Sequence, residues 1–176
     1  MRSSWHWGYA ACLWASVFAG SHFYWACGGS LGLNVSAGAK LATERPLWFV
    51  PAGLWGMGTL CLAGALLGWL LTRSLRYRAA RRIQRYLGYS VGFVLLARGL
   101  AVEFLLLTNA THLDAAVSAG QRFWTLVLWN PWFIVGGLAF GLSALEARRR
   151  DHATSPQTGH PSSRSVPDPR TKASAT

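Results

Sequence analysis

Residues 87–107 read LGYSVGFVLLARGLAVEFLLL, twenty-one residues broken by one arginine and one glutamate. At 1.5 Å per helical residue the stretch spans about 31 Å, close to the hydrocarbon thickness of a bilayer. A soluble helix shows one apolar stripe, whereas this segment is apolar nearly all round. It reads as a membrane span.

Working outward, residues 7–26, 47–71 and 123–145 form three further runs nearly free of charge. The whole chain is 52% hydrophobic and only 13% charged, well below the roughly 25% charged of soluble domains. The expectation is an all-α integral membrane protein, a four-helix bundle occupying residues 1–147. Residues 148–176, rich in Pro, Ser and Thr, lack apolar periodicity and are expected to form a disordered basic tail, since they cannot bury enough surface to offset the entropy of ordering.

Charge sets the expected orientation. Thirteen Lys and Arg residues fall at the N-terminus, between the second and third runs, and after the fourth, against Lys40, Arg45 and Arg122 in the other loops. The positive-inside rule then puts both termini and residues 73–85 in the cytoplasm, in a multi-pass protein of the plasma membrane. A cleaved signal peptide fits poorly, because the first run continues past Val17-Phe18-Ala19 to Ala26, and bulky aromatics replace the small residues of a lipoprotein cleavage box.

The net charge of +11 is concentrated at membrane boundaries, which argues against nucleic acid as a partner. Arg73, Arg76, Arg78, Arg81, Arg82 and Arg85 read as a basic helical connector lying against anionic lipid, each contributing about 1 kcal/mol near the surface. As a topology anchor the same loop needs no specific ligand.

Small residues four apart let helices approach closely in lipid. Gly64 and Gly68, Gly88 and Gly92, and Gly137 and Gly141 have this spacing, all in the halves of their runs nearest the cytoplasm. The other halves carry His22, Tyr24, Trp25, Arg98, Glu103 and Asn130, followed by Pro131. A packed base below a polar vestibule is the expected arrangement. Arg98, His22 and Asn130 lie at similar depth and are expected to meet there. Glu103 sits about 140° around the helix from Arg98, too far round to stack on it, and is expected nearer the interface.

These residues also carry a resemblance. His22-Phe23-Tyr24-Trp25-Ala26-Cys27-Gly28-Gly29 resembles the His-x-Tyr-Trp-Ala-x-Gly-Gly pattern of small bacterial four-span membrane proteins known as domain of unknown function 3995. Arg98 is similar to that family's third-span arginine, and Asn130-Pro131 to its Ser-Pro. The family's aspartate soon after the arginine is absent, with Glu103 five positions on instead. The resemblance implies a four-span fold and no assigned activity.

The chemistry is sparse. Cys12, Cys27 and Cys61 form no CxxC, His22 has no second histidine within a run, and Ser16, Ser21 and Ser90 have no recognisable base beside them. Neither a metal site nor a cofactor nor a catalytic residue is indicated. The leading expectation is a non-enzymatic protein that holds a small ligand, a lipid or a partner helix (a second copy or another membrane protein) through His22, Tyr24, Trp25, Arg98, Glu103 and Asn130. A membrane-embedded enzyme or quinone-linked redox component, or a small transporter subunit, is the alternative.

Overall fold

A computed structural model describes residues 5–108 and 118–153. Among the described residues all regular structure is helical. The elements are α1 (His6–Ala26), two short helices α2 (Leu33–Ala37) and α3 (Ala39–Glu44), then α4 (Phe49–Leu71), α5 (Arg78–Thr108) and α6 (Ala119–Ala153). Apolar surroundings favour this outcome, since a helix satisfies its backbone groups within its own segment.

Two of the long helices are locally widened. α4 begins with a π-helical stretch, Phe49–Gly56, that contains Pro51. α6 widens at Thr125–Trp129, where Asn130 N–H donates to Thr125 O, and Pro131 follows at once. Proline lacks an N–H and its ring crowds the carbonyl four residues back, and a wider turn relieves both problems.

α4, α5 and α6 are each long and apolar enough to cross a membrane. The expectation of four such helices therefore holds for three. α1 has 21 residues, about 31 Å of helix, but its Trp, Tyr, His and Ser residues lower its mean hydropathy.

α1 packs along α4 and α5 along α6, and contact between α1 and α6 joins the pairs. Ala11, Trp14, Ala15 and Phe18 of α1 meet Ala65 and Leu71 of α4 and Ala139, Phe140 and Ala144 of α6. Glycine sets the closest approaches. A Cβ on Gly68 would lie 2.7 Å from the backbone nitrogen of Cys12, one on Gly92 2.9 Å from that of Gly141, and one on Gly137 2.9 Å from Gly92 O. At Gly88 it would meet Ala144 Cβ at 3.1 Å. Gly64 has only ordinary contacts at 3.7 Å, and a Cβ on Gly141 would point into open space.

Two boundaries differ from the sequence expectation. Residues 78–86 are not a connector lying flat but the opening turns of α5, a continuous 31-residue helix. No Gly or Pro interrupts them, and the turn falls earlier, where Thr72 Oγ1 donates to Trp69 O at 2.7 Å. At the other boundary α6 continues to Ala153, so residues 148–153 are helix rather than tail. Asp151 holds both Arg81 and Arg85 at 3.2 Å, which ties the last turns of α6 to the first turns of α5. The remaining tail lies outside the described residues, as does His112-Leu113-Asp114, whose metal-ligand residue types specify no site by their spacing alone.

Candidate functional site

The chain ends α1 with the sequence SHFYWACGG, at the end of the bundle away from the arginine-rich turn. Gly28 has φ +104°, a conformation glycine adopts without strain. Gly29 N–H donates to Tyr24 O at 2.9 Å and Gly28 N–H to Trp25 O at 3.1 Å, the paired bonds of a Schellman helix stop. Gly29 lies so close against the Tyr24 ring that a Cβ there would collide with it.

Trp25 is 4% exposed and packs with Leu33, Phe49 and Leu54. Its indole donates to Leu31 O at 2.8 Å, folding the following loop back over the helix end. Arg45, itself left-handed at φ 40° after α3, donates to Trp25 O at 3.2 Å, Gly28 O at 3.4 Å and Gly29 O at 2.5 Å. Trp25 O, in the last turn of α1, thus takes a second donor besides Gly28 N–H, while Gly28 O and Gly29 O lie just past the helix, and a cation there also suits the helix dipole.

His22 is used inside its own helix. Nδ1 lies 2.8 Å from Phe18 O; because a carbonyl only accepts, Nδ1 carries the proton. The ring stands edge-on to Phe18 at 4.7 Å and to Trp25 at 5.3 Å. Tyr24 is half-exposed.

Asn130 is fully buried, and its Nδ2 donates to Glu103 Oε2 at 2.8 Å across the α5–α6 interface. Gly99 permits this approach, since a Cβ there would stand 3.1 Å from Asn130 O. Arg98 joins neither group. It is exposed, with its guanidinium 5.1 Å over the ring of Phe133. Phe133 meets Phe18 at 5.7 Å and Phe18 meets His22, so two aromatic rings separate Arg98 from the histidine it was expected to contact.

The reason is azimuth. Gly88, Gly92, Gly99 and Leu106 are buried on one side of α5, and at 100° per residue Glu103 falls about 40° from Gly99 while Arg98 falls a full 100° away. Glu103 therefore faces α6 and Arg98 points off the interface. In place of a polar vestibule, the space between α1 and α6 is filled by rings. Trp14 stacks on Trp132 at 5.7 Å and donates to Trp132 O at 2.9 Å, while Trp129 contacts both Phe18 and Trp25. Among the described residues, Asn130 Oδ1 and the indole nitrogens of Trp129 and Trp132 are buried without a hydrogen-bond partner.

Sequence reasoning did not single out Trp14, Phe18, Arg45 or Gly99. The helical spacing of Trp14, Phe18, His22 and Trp25 on one side of α1 was an available signal for the aromatic seam. Arg45 offered none, because its contacts lie 16 to 20 residues back along the chain. Among the described residues no three His, Cys, Asp or Glu side chains gather as a metal site would require.

No curated protein and no solved structure matches the chain. A family model described as protein of unknown function (DUF3995) matches residues 15–140, from the first half of α1 into the middle of α6. The match takes in the helix stop, the Glu103–Asn130 pair and Arg98, and covers well over half of the chain, which therefore belongs to this family of membrane proteins.

Proposed function

We propose that the protein is a non-enzymatic four-span component of the plasma membrane that docks a partner helix against the Arg98 side of α5. α1 serves as the fourth span. It carries no Lys, Arg, Asp or Glu, matches the bilayer in length, and lies between α4 and α6. With four spans both termini share one side, and the excess of Lys and Arg at the arginine-rich end makes that side cytoplasmic. The same excess attracts an anionic leaflet through Arg76, Arg78 and Arg82, all exposed.

The observation that carries the docking reading is Arg98 itself. It lies near the middle of its span, exposed, with a ring face but no hydrogen-bond acceptor or carboxylate against it among the described residues. An arginine at that depth costs about 2.5–3.5 kcal/mol on insertion scales and is ordinarily paired within the membrane. An acidic or amide side chain on a neighbouring helix, from a second copy or another membrane protein, supplies the missing acceptor. The polar groups expected to line a ligand pocket are largely engaged within the fold, His22 with Phe18, Trp25 with Leu31, and Asn130 with Glu103.

A photoreactive residue at Ala101, exposed and flanking Arg98 on the same side of α5, tests the reading in intact membranes. Protein adducts that disappear in Arg98→Leu are expected. Adducts to lipid alone, unchanged by Arg98→Leu, contradict it. The three unpartnered atoms at Asn130, Trp129 and Trp132 favour a small polar ligand as the second reading, and a stoichiometric chromophore or small molecule copurifying with the protein would select it.

A further inference from the structure

At the arginine-rich end, the turn after α4, the first turns of α5 and the last turns of α6 border a partly open pocket of about 10 Å³, room for about one water, with Arg73, Arg81, Gln84, Arg85, Arg150 and Asp151 around it. Four guanidinium groups face one carboxylate. Gln84 is 6% exposed, and among the described residues its Nε2 has no hydrogen-bond partner; Arg85 Nε is buried and likewise without one. Asp151 does not make up the deficit, because Oδ1 already faces Arg81 and Oδ2 faces Arg85, each at 3.2 Å. Arg150 donates to Thr72 O at 3.2 Å and to Leu71 O, and Arg73 is held over the Trp69 ring at 4.8 Å.

Buried N–H groups are nearly always satisfied, so unmatched ones beside several cations mark a place for an acceptor-rich anion. We propose that this pocket binds a phosphate group, carried by an anionic lipid headgroup or by a soluble phosphate. Gln84 Nε2 and Arg85 Nε donate to its oxygens while Arg81 and Arg73 balance its charge. Planar guanidinium forks suit such a group better than isolated ammonium charges. Asp151 is the internal competitor: with room for only about one water, the pocket admits the anion as the Asp151 carboxylate leaves Arg81 and Arg85, which also uncovers the Gln84 and Arg85 donors. The lipid source rests on the reading that this end faces the anionic leaflet; the pocket itself does not.

The test is thermal unfolding of the full-length protein in neutral detergent, titrated with inorganic phosphate, with phosphatidic acid, and with sodium chloride at matched ionic strength. Stabilisation by either phosphate compound beyond that of chloride is expected, and which of them acts identifies the source. Gln84→Leu, which leaves the charge unchanged, weakens binding about tenfold, the loss typical of a hydrogen bond to a charged group. Asp151→Asn strengthens binding, whereas a merely structural ion pair would give only a lower Tm. Arg82→Gln, an exposed charge outside the pocket, reports leaflet attraction alone. If neither compound stabilises the wild-type protein beyond chloride, or if Arg82→Gln weakens phosphatidic acid binding and Gln84→Leu does not, the pocket is overturned. If inorganic phosphate binds in a Gln84-dependent way and no anionic lipid does, the pocket stands and the leaflet reading is overturned.

Discussion

Arginine closes helix ends at both extremes of the bundle, but with different remainders. Where α1 stops, Arg45 meets three backbone carbonyls and Trp25 meets a fourth. Where α4 stops, Arg150 meets the carbonyls of Leu71 and Thr72, yet Gln84 and Arg85 are left with buried N–H groups that no acceptor among the described residues reaches. A side chain whose donors meet the protein's own acceptors holds the fold together, and an excess of donors marks a place for something else. By that measure the His-x-Tyr-Trp-Ala-x-Gly-Gly stretch is a helix stop first, and unmatched polar groups lie at the arginine-rich end, at Arg98 and beside Trp129, Asn130 and Trp132.

The two ends can be separated by experiment. The largest contrast is all-or-none. In a Cys27→Ser background, a cysteine at Ala39 should react with an impermeant reagent added outside the cell and one at Ala80 should not; the opposite pattern would invert the bundle. Next, Trp25→Ala removes a buried ring and the bond to Leu31 O, and should lower stability by about 3–5 kcal/mol in a denaturation series. Gly137→Leu drives a side chain against Leu96 and the Gly92 carbonyl and should cost about 1–3 kcal/mol. Gly141→Ala, facing open space, should change stability by no more than about 0.5 kcal/mol. If the two glycine variants behave alike, the α5–α6 crossing is misplaced.

Much of the fold is legible in the sequence because hydrophobic runs report span length directly. α4, α5 and α6 follow from that signal, and Pro51 and Pro131 mark where two of them widen. The start of α5 at Arg78 and the extension of α6 to Ala153 are harder to read, since both depend on Asp151 pairing with arginines on another helix. Depth along a helix is also readable, and it groups Arg98, His22 and Asn130. Azimuth is not given by depth. Setting α5 by its glycines, Gly88, Gly92 and Gly99, turns Glu103 towards Asn130 and Arg98 away from it. The glycine pair that ends SHFYWACGG signals a helix stop by itself, whereas the Arg45 clamp requires knowing how the chain returns.

The helix stop of α1 is satisfied within the fold, and the pocket at the arginine-rich end awaits an anion. The most direct measurement is the Tm of Arg45→Gln and Gln84→Leu, each with and without the phosphate compound that stabilises the wild-type protein. Arg45→Gln should lose about 1 kcal/mol of stability and keep the full ligand-induced shift. Gln84→Leu should be close to the wild-type Tm without ligand, because an apolar group replaces an unmatched amide, and should lose most of the shift. An unchanged Tm in Arg45→Gln together with an undiminished shift in Gln84→Leu would contradict the account.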